Sequence, residues 1–214
     1  MRITRLGPTD LSWIELPQPS SKGRESFEES LGRRRSVRQL SANPLTIQAI
    51  GQILWAAQGI TSAEGKRVAP SAGALYPLEI YLAAGNVREI DAGIYKYRPE
   101  HHQLRMHIRG DLRAKLTETT HQQYAVKDGS AVIVIAADYG RTAVKYGSRG
   151  DRYVHMEVGH VAQNIYLQAH CLDLSTVMVG SFDDDALRRV LELPDNEAPL
   201  ALLPVGATAN AGRP

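Results

Sequence analysis

Cysteine is almost absent from this sequence, and that limits its chemistry. The chain has 214 residues and one cysteine, Cys171, so no disulfide can form within it. The cysteine and the histidines do not combine into a pattern with zinc-ligand spacing. A structural zinc site is therefore not expected.

An excess of charge of one sign is also missing. The 25 Lys and Arg residues stand against 23 Asp and Glu, which leaves a formal net charge of +2. Aromatic residues make up 6% of the chain, and basic residues form one short cluster rather than a stripe. Because nucleic-acid-binding domains rely on basic stripes and aromatic platforms, this balance argues against that class.

Long hydrophobic runs are absent as well. The longest purely apolar run, from Ala131 to Ala137, is about a third of the ~20 residues that a membrane-spanning helix needs. The N-terminus is polar and has no apolar segment typical of a secretory signal. We therefore expect a protein that neither crosses a membrane nor is secreted, with the cytoplasm as its compartment.

The composition predicts one globular domain preceded by an arm. Residues 1–24 contain Pro and Gly with little periodicity, which predicts an extended arm, and 25–214 are predicted to form a single domain. Helices and strands are mixed without strict alternation, which predicts an α+β fold with helices packed on a mixed sheet. Helices are predicted over 26–35, 46–57, 111–120, 153–174 and 186–193, and strands over 78–84, 93–98, 103–108, 131–137 and 200–205.

The densest cationic cluster is the sequence RRRSVR at 33–38. Guanidinium groups bind phosphate through two parallel hydrogen bonds, and the Ser36 hydroxyl adds a further donor. This spacing suits a single anionic group. A solvated basic turn or a weak nucleic-acid patch is the alternative interpretation.

A loop of small residues follows at 67–77, with the sequence RVAPSAGALYP. Small side chains let the backbone approach a planar ligand closely, and Ser71 can bond the polar edge of such a ligand. An ordinary tight turn is the alternative.

A third candidate is the segment 144–153, with the sequence VKYGSRGDRY, which is predicted to be a polar loop. Lys145 and Tyr146 are adjacent and can serve as acid and base where a proton must be moved. A solvated loop whose Asp151 caps the following helix is the alternative.

The seven histidines do not predict a metal site. Glu157 and His160 have the Glu-x-x-His spacing of di-iron bundles, but such sites need a second motif and two further glutamates. No Gly-x-Gly-x-x-Gly follows a strand, and no P-loop or Gly-x-Ser-x-Gly is present. Dinucleotide-binding Rossmann, NTPase and α/β-hydrolase folds are therefore not expected.

Several short motifs follow one another in a specific order: RRSVR at 34–38, LWAAQGI at 54–60, APSAGALYPLE at 69–79, GIYKY at 93–97, KYG at 145–147, EVGH at 157–160, QN at 163–164, VGSF at 179–182 and LPVG at 203–206. In this order they resemble the nitroreductase superfamily, and more narrowly its SagB/ThcOx-type dehydrogenase branch. Many relatives carry Asn where this chain has Ala74 and Leu75, a difference that favours this branch.

The resemblance implies an α+β flavoprotein that binds FMN without covalent attachment. It implies two sites built across the interface of an interlocked homodimer, so that neither site forms in a monomer. The residues that it assigns to the flavin are Arg34, Arg35, Ser36 and Arg38 at the phosphate; Pro70, Ser71, Ala72 and Gly73 from the other subunit; Gly180 and Ser181 beside N5; Asn164 on the long helix; and Arg213 as the C-terminal basic residue.

The SagB-type branch oxidises thiazoline or oxazoline rings in a modified peptide to azoles. An adjacent Lys-Tyr pair is implicated in that chemistry, and the resemblance carries this catalytic role to Lys145 and Tyr146. One ring hydrogen would leave as a proton to Lys145 or Tyr146, and the other would leave as hydride to N5.

Two other functions stay open at the level of sequence. The first is an NAD(P)H-dependent nitroreductase or quinone reductase, with NAD(P)H as electron donor and a small-molecule substrate. The second is a flavin-binding partner subunit of a peptide-modifying enzyme complex, inactive alone.

Overall fold

The computed structural model describes residues 13–209. Within them the strands are β1 (Trp13–Glu15), β2 (Leu40–Ser41), β3 (Leu78–Ala84), β4 (Gly93–Arg98), β5 (Gln103–Arg109), β6 (Ala131–Ala137), β7 (Ser175–Thr176) and β8 (Ala198–Thr208). The α-helices are α1 (Phe27–Arg33), α2 (Ile47–Gln58), α3 (Arg113–Thr119), α4 (Ala125–Asp128), α5 (Tyr139–Tyr146), α6 (Gly150–Cys171) and α7 (Asp184–Val190). None of the helices in this part of the chain is long and apolar enough to span a bilayer.

The strands form a sheet in the order β1-β5-β4-β3-β6-β8-β2, and β7 pairs with β8. These strands pair antiparallel, and an isolated bridge between Leu45 and Val87 is parallel. Strand β6 lies between β3 and β8, and all of its residues are buried. The predicted strand 131–137 is therefore confirmed, and it is buried on both faces between β3 and β8.

Both faces of the sheet are covered by helices. Ile133 and Ile135 of β6 pack into the core that α2 and α6 close. Val132 and Val134 face the opposite way, into a second core closed by α3, α4 and α7. Because side chains alternate along a strand, one apolar run supplies both cores. The α+β architecture predicted from sequence is confirmed.

Side-chain caps decide where the helices begin. The Ser26 hydroxyl accepts a hydrogen bond from the Glu29 amide at 3.1 Å, and the Glu29 carboxylate accepts from the Ser26 amide at 3.0 Å. This reciprocal capping box starts α1 at Phe27. Helix α1 ends at Arg33, two residues before the predicted end, because Arg34 adopts extended backbone angles. Residues 34–38 are therefore free of the helix.

The predicted loop at 144–153 is wrong. Helix α5 runs to Tyr146, a 3₁₀ turn follows over Gly147–Arg149, and α6 begins at Gly150. The Asp138 side chain accepts a hydrogen bond from the Gly140 amide at 2.9 Å, which caps α5 directly after β6. Gly147 has φ +56°, a conformation that ends α5 and that glycine adopts readily.

A strand also forms inside the segment predicted as an arm. Trp13 to Glu15 pair with β5, opposite Gln103 to Arg105. The next residue, Leu16, is buried, and its amide donates to the His102 carbonyl at 3.1 Å. These contacts attach residues 13–16 to the edge of the sheet.

Candidate functional site

The basic segment, residues 34–38, belongs to no helix or strand and passes beside β7. The Val37 amide donates to the Thr176 carbonyl at 3.0 Å and fixes this position. Within residues 13–209, Arg34, Arg35 and Arg38 form no ion pair with a carboxylate. Three guanidinium groups that have no carboxylate partner in the described chain thus stand within five residues, as an anion-binding site requires. Arg35 Nη1 donates to the carbonyls of Gly32 and Arg34 at 3.1 and 2.8 Å.

Tyr166 of α6 joins the basic segment to the chain after β7. Its hydroxyl accepts a hydrogen bond from the Met178 amide at 2.7 Å and lies 3.0 Å from the Ser36 hydroxyl. The Arg34 guanidinium lies 5.4 Å from the centre of the Tyr166 ring, a cation-π contact. Sequence reasoning missed Tyr166, although a tyrosine inside the apolar stripe of the long helix was visible.

Gly180 and Ser181 follow this anchored stretch. Val179 exchanges two backbone hydrogen bonds with Leu202, at 2.8 and 2.9 Å, and α7 starts after Asp183. Both Gly180 and Ser181 are exposed, and a Cβ added to Gly180 would meet no atom within 4 Å. The backbone at this point is therefore open to a ligand. We call residues 34–38, Tyr166 and 178–181 the arginine group.

The loop of small residues packs directly against Lys145 and Tyr146. Gly73 has φ +64°, and a Cβ added there would lie 2.9 Å from the Tyr146 Oη and 3.1 Å from the Lys145 Nζ. Residues about seventy positions apart in sequence thus meet at one point. We call residues 70–73, Lys145 and Tyr146 the lysine group.

Hydrogen bonds fix the loop of the lysine group. The Ser71 hydroxyl accepts from the Tyr76 amide at 2.9 Å, and His160 Nδ1 donates to the Pro70 carbonyl at 3.1 Å. The Tyr146 ring packs edge-on against Tyr153, with ring centres 4.9 Å apart. The Lys145 Nζ lies 5.4 Å from the centre of the Tyr146 ring and is exposed. A free amine and a phenol therefore stand side by side on a fixed support.

Glu157 is buried beneath this loop. Its carboxylate accepts a hydrogen bond from Gln58 Nε2 at 3.2 Å, and the Gln58 oxygen accepts from Arg67 Nη1 at 3.2 Å. Burial raises the pKa of the Glu157 carboxyl, while hydrogen bonds from Ser71 and Gln58 act in the opposite direction. Glu157 thus contacts the loop through Ser71, and His160 contacts it through Pro70. Within residues 13–209, no three His, Cys, Asp or Glu side chains are placed to hold a metal ion.

Asn164 lies on α6 between the two groups. Its amide nitrogen donates to the Ala56 carbonyl of α2 at 3.1 Å. The residue lines a groove of about 840 Å³ between residues 20–27, α2 and the second half of α6. Phe27, on the rim of this groove, is 63% exposed. The remaining predicted residue, Arg213, lies outside the described residues.

The structure brings residues together within each group and keeps the two groups apart. Among residues 13–209, no hydrogen bond or ion pair joins the arginine group to the lysine group. Their contacts on α6, Tyr166 and His160, are six residues apart, or about 9 Å along the helix axis. A ligand that touched both groups of one chain would have to span this distance.

Comparisons with known proteins agree on the family. The model of the family described as "Nitroreductase family" matches residues 31–207. A Methanocaldococcus jannaschii protein, provisionally named a nitroreductase, is 46% identical over 180 residues, which are 84% of this chain and 90% of the relative. A provisionally named nitroreductase of Ralstonia eutropha has a structure with TM-score 0.82 and 26% identity, covering 98% of this chain and 96% of that one.

Two further matches are a trifolitoxin-processing protein and a chain of a microcin synthetase complex. Trifolitoxin-processing protein TfxB of Rhizobium leguminosarum is 26% identical over 133 residues, which are 60% of this chain and 36% of TfxB. The E. coli microcin synthetase McbBCD complex, with truncated pro-MccB17 bound, contains a chain with TM-score 0.72 and 25% identity. That match covers 89% of this chain and 75% of the other.

Proposed function

Because the chain belongs to the nitroreductase family, we propose that it is an FMN-dependent oxidoreductase of the SagB type. The proposed reaction oxidises a thiazoline or oxazoline ring in a modified peptide to the corresponding azole. The observation that carries this proposal is the contact of Lys145 and Tyr146 with Gly73, inside the loop that the resemblance assigns to the flavin. The similarity to TfxB and to a chain of the McbBCD complex supports a peptide substrate.

The residues of both groups fit FMN. The arginine group offers three guanidinium groups without carboxylate partners among the described residues, together with the Ser36 hydroxyl, as phosphate donors require. The open backbone at Gly180 leaves room beside it for a planar ring. Arg34, Arg35, Ser36 and Arg38 would hold the phosphate, and 70–73 with 180–181 would line the ring.

Lys145 and Tyr146 would remove the proton in this reaction. The azoline ring loses two hydrogens, one as a proton and one as a hydride, when it becomes aromatic. Bound FMN supplies the acceptor for the hydride. The exposed side chain of Lys145, or the phenol of Tyr146, takes the proton after it has given up its own proton to solvent. The close contact with Gly73 fixes both side chains in one place.

A homodimer is part of the proposal, because the resemblance assigns the two groups of one flavin site to different subunits. Exposed apolar side chains lie close to both of them in sequence: Phe27 and Leu31 precede the basic segment, and Val144, which is 90% exposed, precedes Lys145. Met156 of α6 is exposed as well. Burying these side chains against a second copy would stabilise the pair. The arginine group of one copy would then complete the lysine group of the other.

The test combines the cofactor with the substrate. We expect purified protein to be yellow, to release FMN identified by mass, and to have a dimeric mass in solution. We also expect it to convert a thiazoline-containing peptide to the thiazole, with a mass loss of two hydrogens. A colourless monomer that takes up no added FMN would contradict the whole proposal.

An NAD(P)H-dependent nitroreductase is the competing function, favoured by the provisional name of the M. jannaschii relative. It requires no base beside the ring. Rapid bleaching of the yellow colour by NADPH, followed by reduction of a nitroaromatic and no turnover of the thiazoline peptide, would favour this alternative.

A further inference from the structure

A second cavity, of about 320 Å³, lies where β3 begins and β4 ends. Its walls include Trp13, Arg67, Arg98 and Arg105, and Leu78 and Ile80 contribute apolar surface. None of these residues belongs to the arginine group or the lysine group.

The positive charges around this cavity differ in how far they are neutralised. Lys96 Nζ lies 3.1 Å from a Glu79 oxygen and 2.7 Å from a Glu197 oxygen, and Arg141 also contacts Glu79. The charges of Lys96 and Arg141 are therefore neutralised by carboxylates. Within residues 13–209, Arg98 and Arg105 pair with no carboxylate.

Arg67 is compensated only in part. Its guanidinium makes one contact of 3.3 Å with Glu100, whose side chain is 51% exposed. The Arg67 side chain is itself 12% exposed, so its charge is held in the wall of the cavity. Uncompensated guanidinium groups that face a single cavity favour an anion with carboxylate or phosphate geometry.

Trp13 adds a flat apolar surface between these charges. The guanidinium carbons of Arg98 and Arg105 lie 5.0 and 5.5 Å from the centre of its ring. The pairing of Trp13 with Arg105 across β1 and β5 fixes this arrangement. Trp13 is nevertheless 41% exposed, which leaves part of its surface accessible to a ligand. The cavity thus combines cationic groups with an aromatic and aliphatic wall.

We propose that this cavity binds a small organic anion that has one carboxylate or phosphate group on a planar apolar body. The anionic group contacts Arg98 and Arg105, and the apolar body packs against the exposed part of Trp13. This site is separate from the candidate flavin site and does not depend on the proposed function.

The experiment uses Trp13 as a local reporter. The chain has two tryptophans, so Trp55→Phe leaves Trp13 as the only one. This variant is titrated with benzoate, phenyl phosphate and benzamide, and Trp13 emission and the heat of binding are recorded. We expect saturable binding of benzoate or phenyl phosphate, and the stronger of the two identifies the preferred anion. Binding of benzamide, which is neutral and has nearly the same shape as benzoate, should be at least about tenfold weaker.

Variants locate the binding. Arg98→Gln with Arg105→Gln should weaken binding of the preferred anion at least about tenfold. Arg109→Gln, on the same strand β5 but outside the cavity, should leave it unchanged. Circular dichroism checks that the variants fold. The proposal is overturned if neither anion binds, if benzamide binds as tightly, or if the double variant binds as well as Arg109→Gln.

Discussion

The arginine group is assembled from irregular segments joined by Tyr166 of α6, whereas the lysine group is assembled from a tight turn packed against a helix end. In the arginine group, the Tyr166 hydroxyl bonds both Ser36 and the Met178 amide and so links two segments of the chain. The guanidinium groups form no ion pair with a carboxylate in the described chain. In the second, the positive φ of Gly73 lets its backbone approach Lys145 and Tyr146 closely. The first arrangement suits binding of a charged group, and the second suits exact placement of reactive groups. Changes to the arginine group should therefore affect affinity, and changes to the lysine group should affect rate.

The largest expected effect is on rate. Lys145→Ala should lower turnover of the thiazoline peptide by roughly 10²–10⁴-fold, because general-base catalysis contributes that much. FMN content, measured by absorbance, should stay the same. Lys115→Ala is the matched control, since Lys115 is an exposed lysine on α3. Full turnover by Lys145→Ala would refute its role as the base.

The next largest effect is expected on the affinity for FMN. Arg34→Gln and Arg38→Gln should each weaken FMN binding by roughly tenfold to a hundredfold, the value of a hydrogen bond to a charged group. Flavin fluorescence titrations of the apoprotein measure this change. Turnover at saturating FMN should remain near the unsubstituted value. If turnover falls while affinity holds, the division between the two groups is wrong.

A substitution at Gly73 tests the close contact itself. Gly73→Ala should lower turnover about tenfold, because the added Cβ displaces Lys145 and Tyr146. Gly65 is the matched control, since its φ is +76° but an added Cβ meets nothing within 4 Å. Both variants should lose about 1 kcal/mol in the free energy of unfolding from backbone strain. Equal turnover in the two would show that strain, not the contact, is responsible.

A smaller effect is expected at Tyr166. Tyr166→Phe removes the acceptor of the Met178 amide and the partner of Ser36, and should weaken FMN binding by a few-fold to about tenfold. Tyr124→Phe, whose hydroxyl bonds only the exposed Gln122 among the described residues, should leave binding unchanged. If both variants bind FMN alike, Tyr166 has no part in positioning the arginine group.

The smallest expected effect is a change in how the free energy of unfolding depends on pH. Burial raises the pKa of Glu157 above its ordinary value of 4.5, so the folded protein binds more protons than the unfolded chain above that pH. The contribution of Glu157 to stability is therefore present at low pH and is lost as pH rises through its folded pKa. Glu157→Gln should flatten this decline, measured as the free energy of unfolding between pH 4.5 and 8. An identical slope in both proteins would contradict the raised pKa.

Much of the fold follows from local patterns. The bounds predicted for β3 and β6 agree with the structure. β6 is a purely apolar run, β3 is apolar except for Glu79, and both are bounded by glycine, proline or polar residues. Helix α2, predicted over 46–57, runs from Ile47 to Gln58, because Thr46 caps its start and Gly59 ends it. Helix α5 was missed because only Thr142 among its residues is buried, which leaves no apolar stripe to detect.

The candidate site was less accessible to sequence reasoning. The arginine cluster and the Lys-Tyr pair are visible as local motifs, but their surroundings depend on distant contacts. Ser36 meets Tyr166 across 130 positions, and Gly73 meets Lys145 only after β3 and β6 have paired. Such contacts come from the packing of α6 on the sheet, which no short window of sequence contains.

Helix α6 fixes the distance between the arginine group and the lysine group. Its 22 residues form one continuous helix, with Tyr166 at the arginine group and His160 and Tyr153 at the lysine group. Sliding one group toward the other would break the hydrogen bonds of several turns at once. Any opening or closing of the site must therefore come from the segments that α6 supports, the basic segment and the turn at Gly73. The distance along α6 between the two groups stays constant.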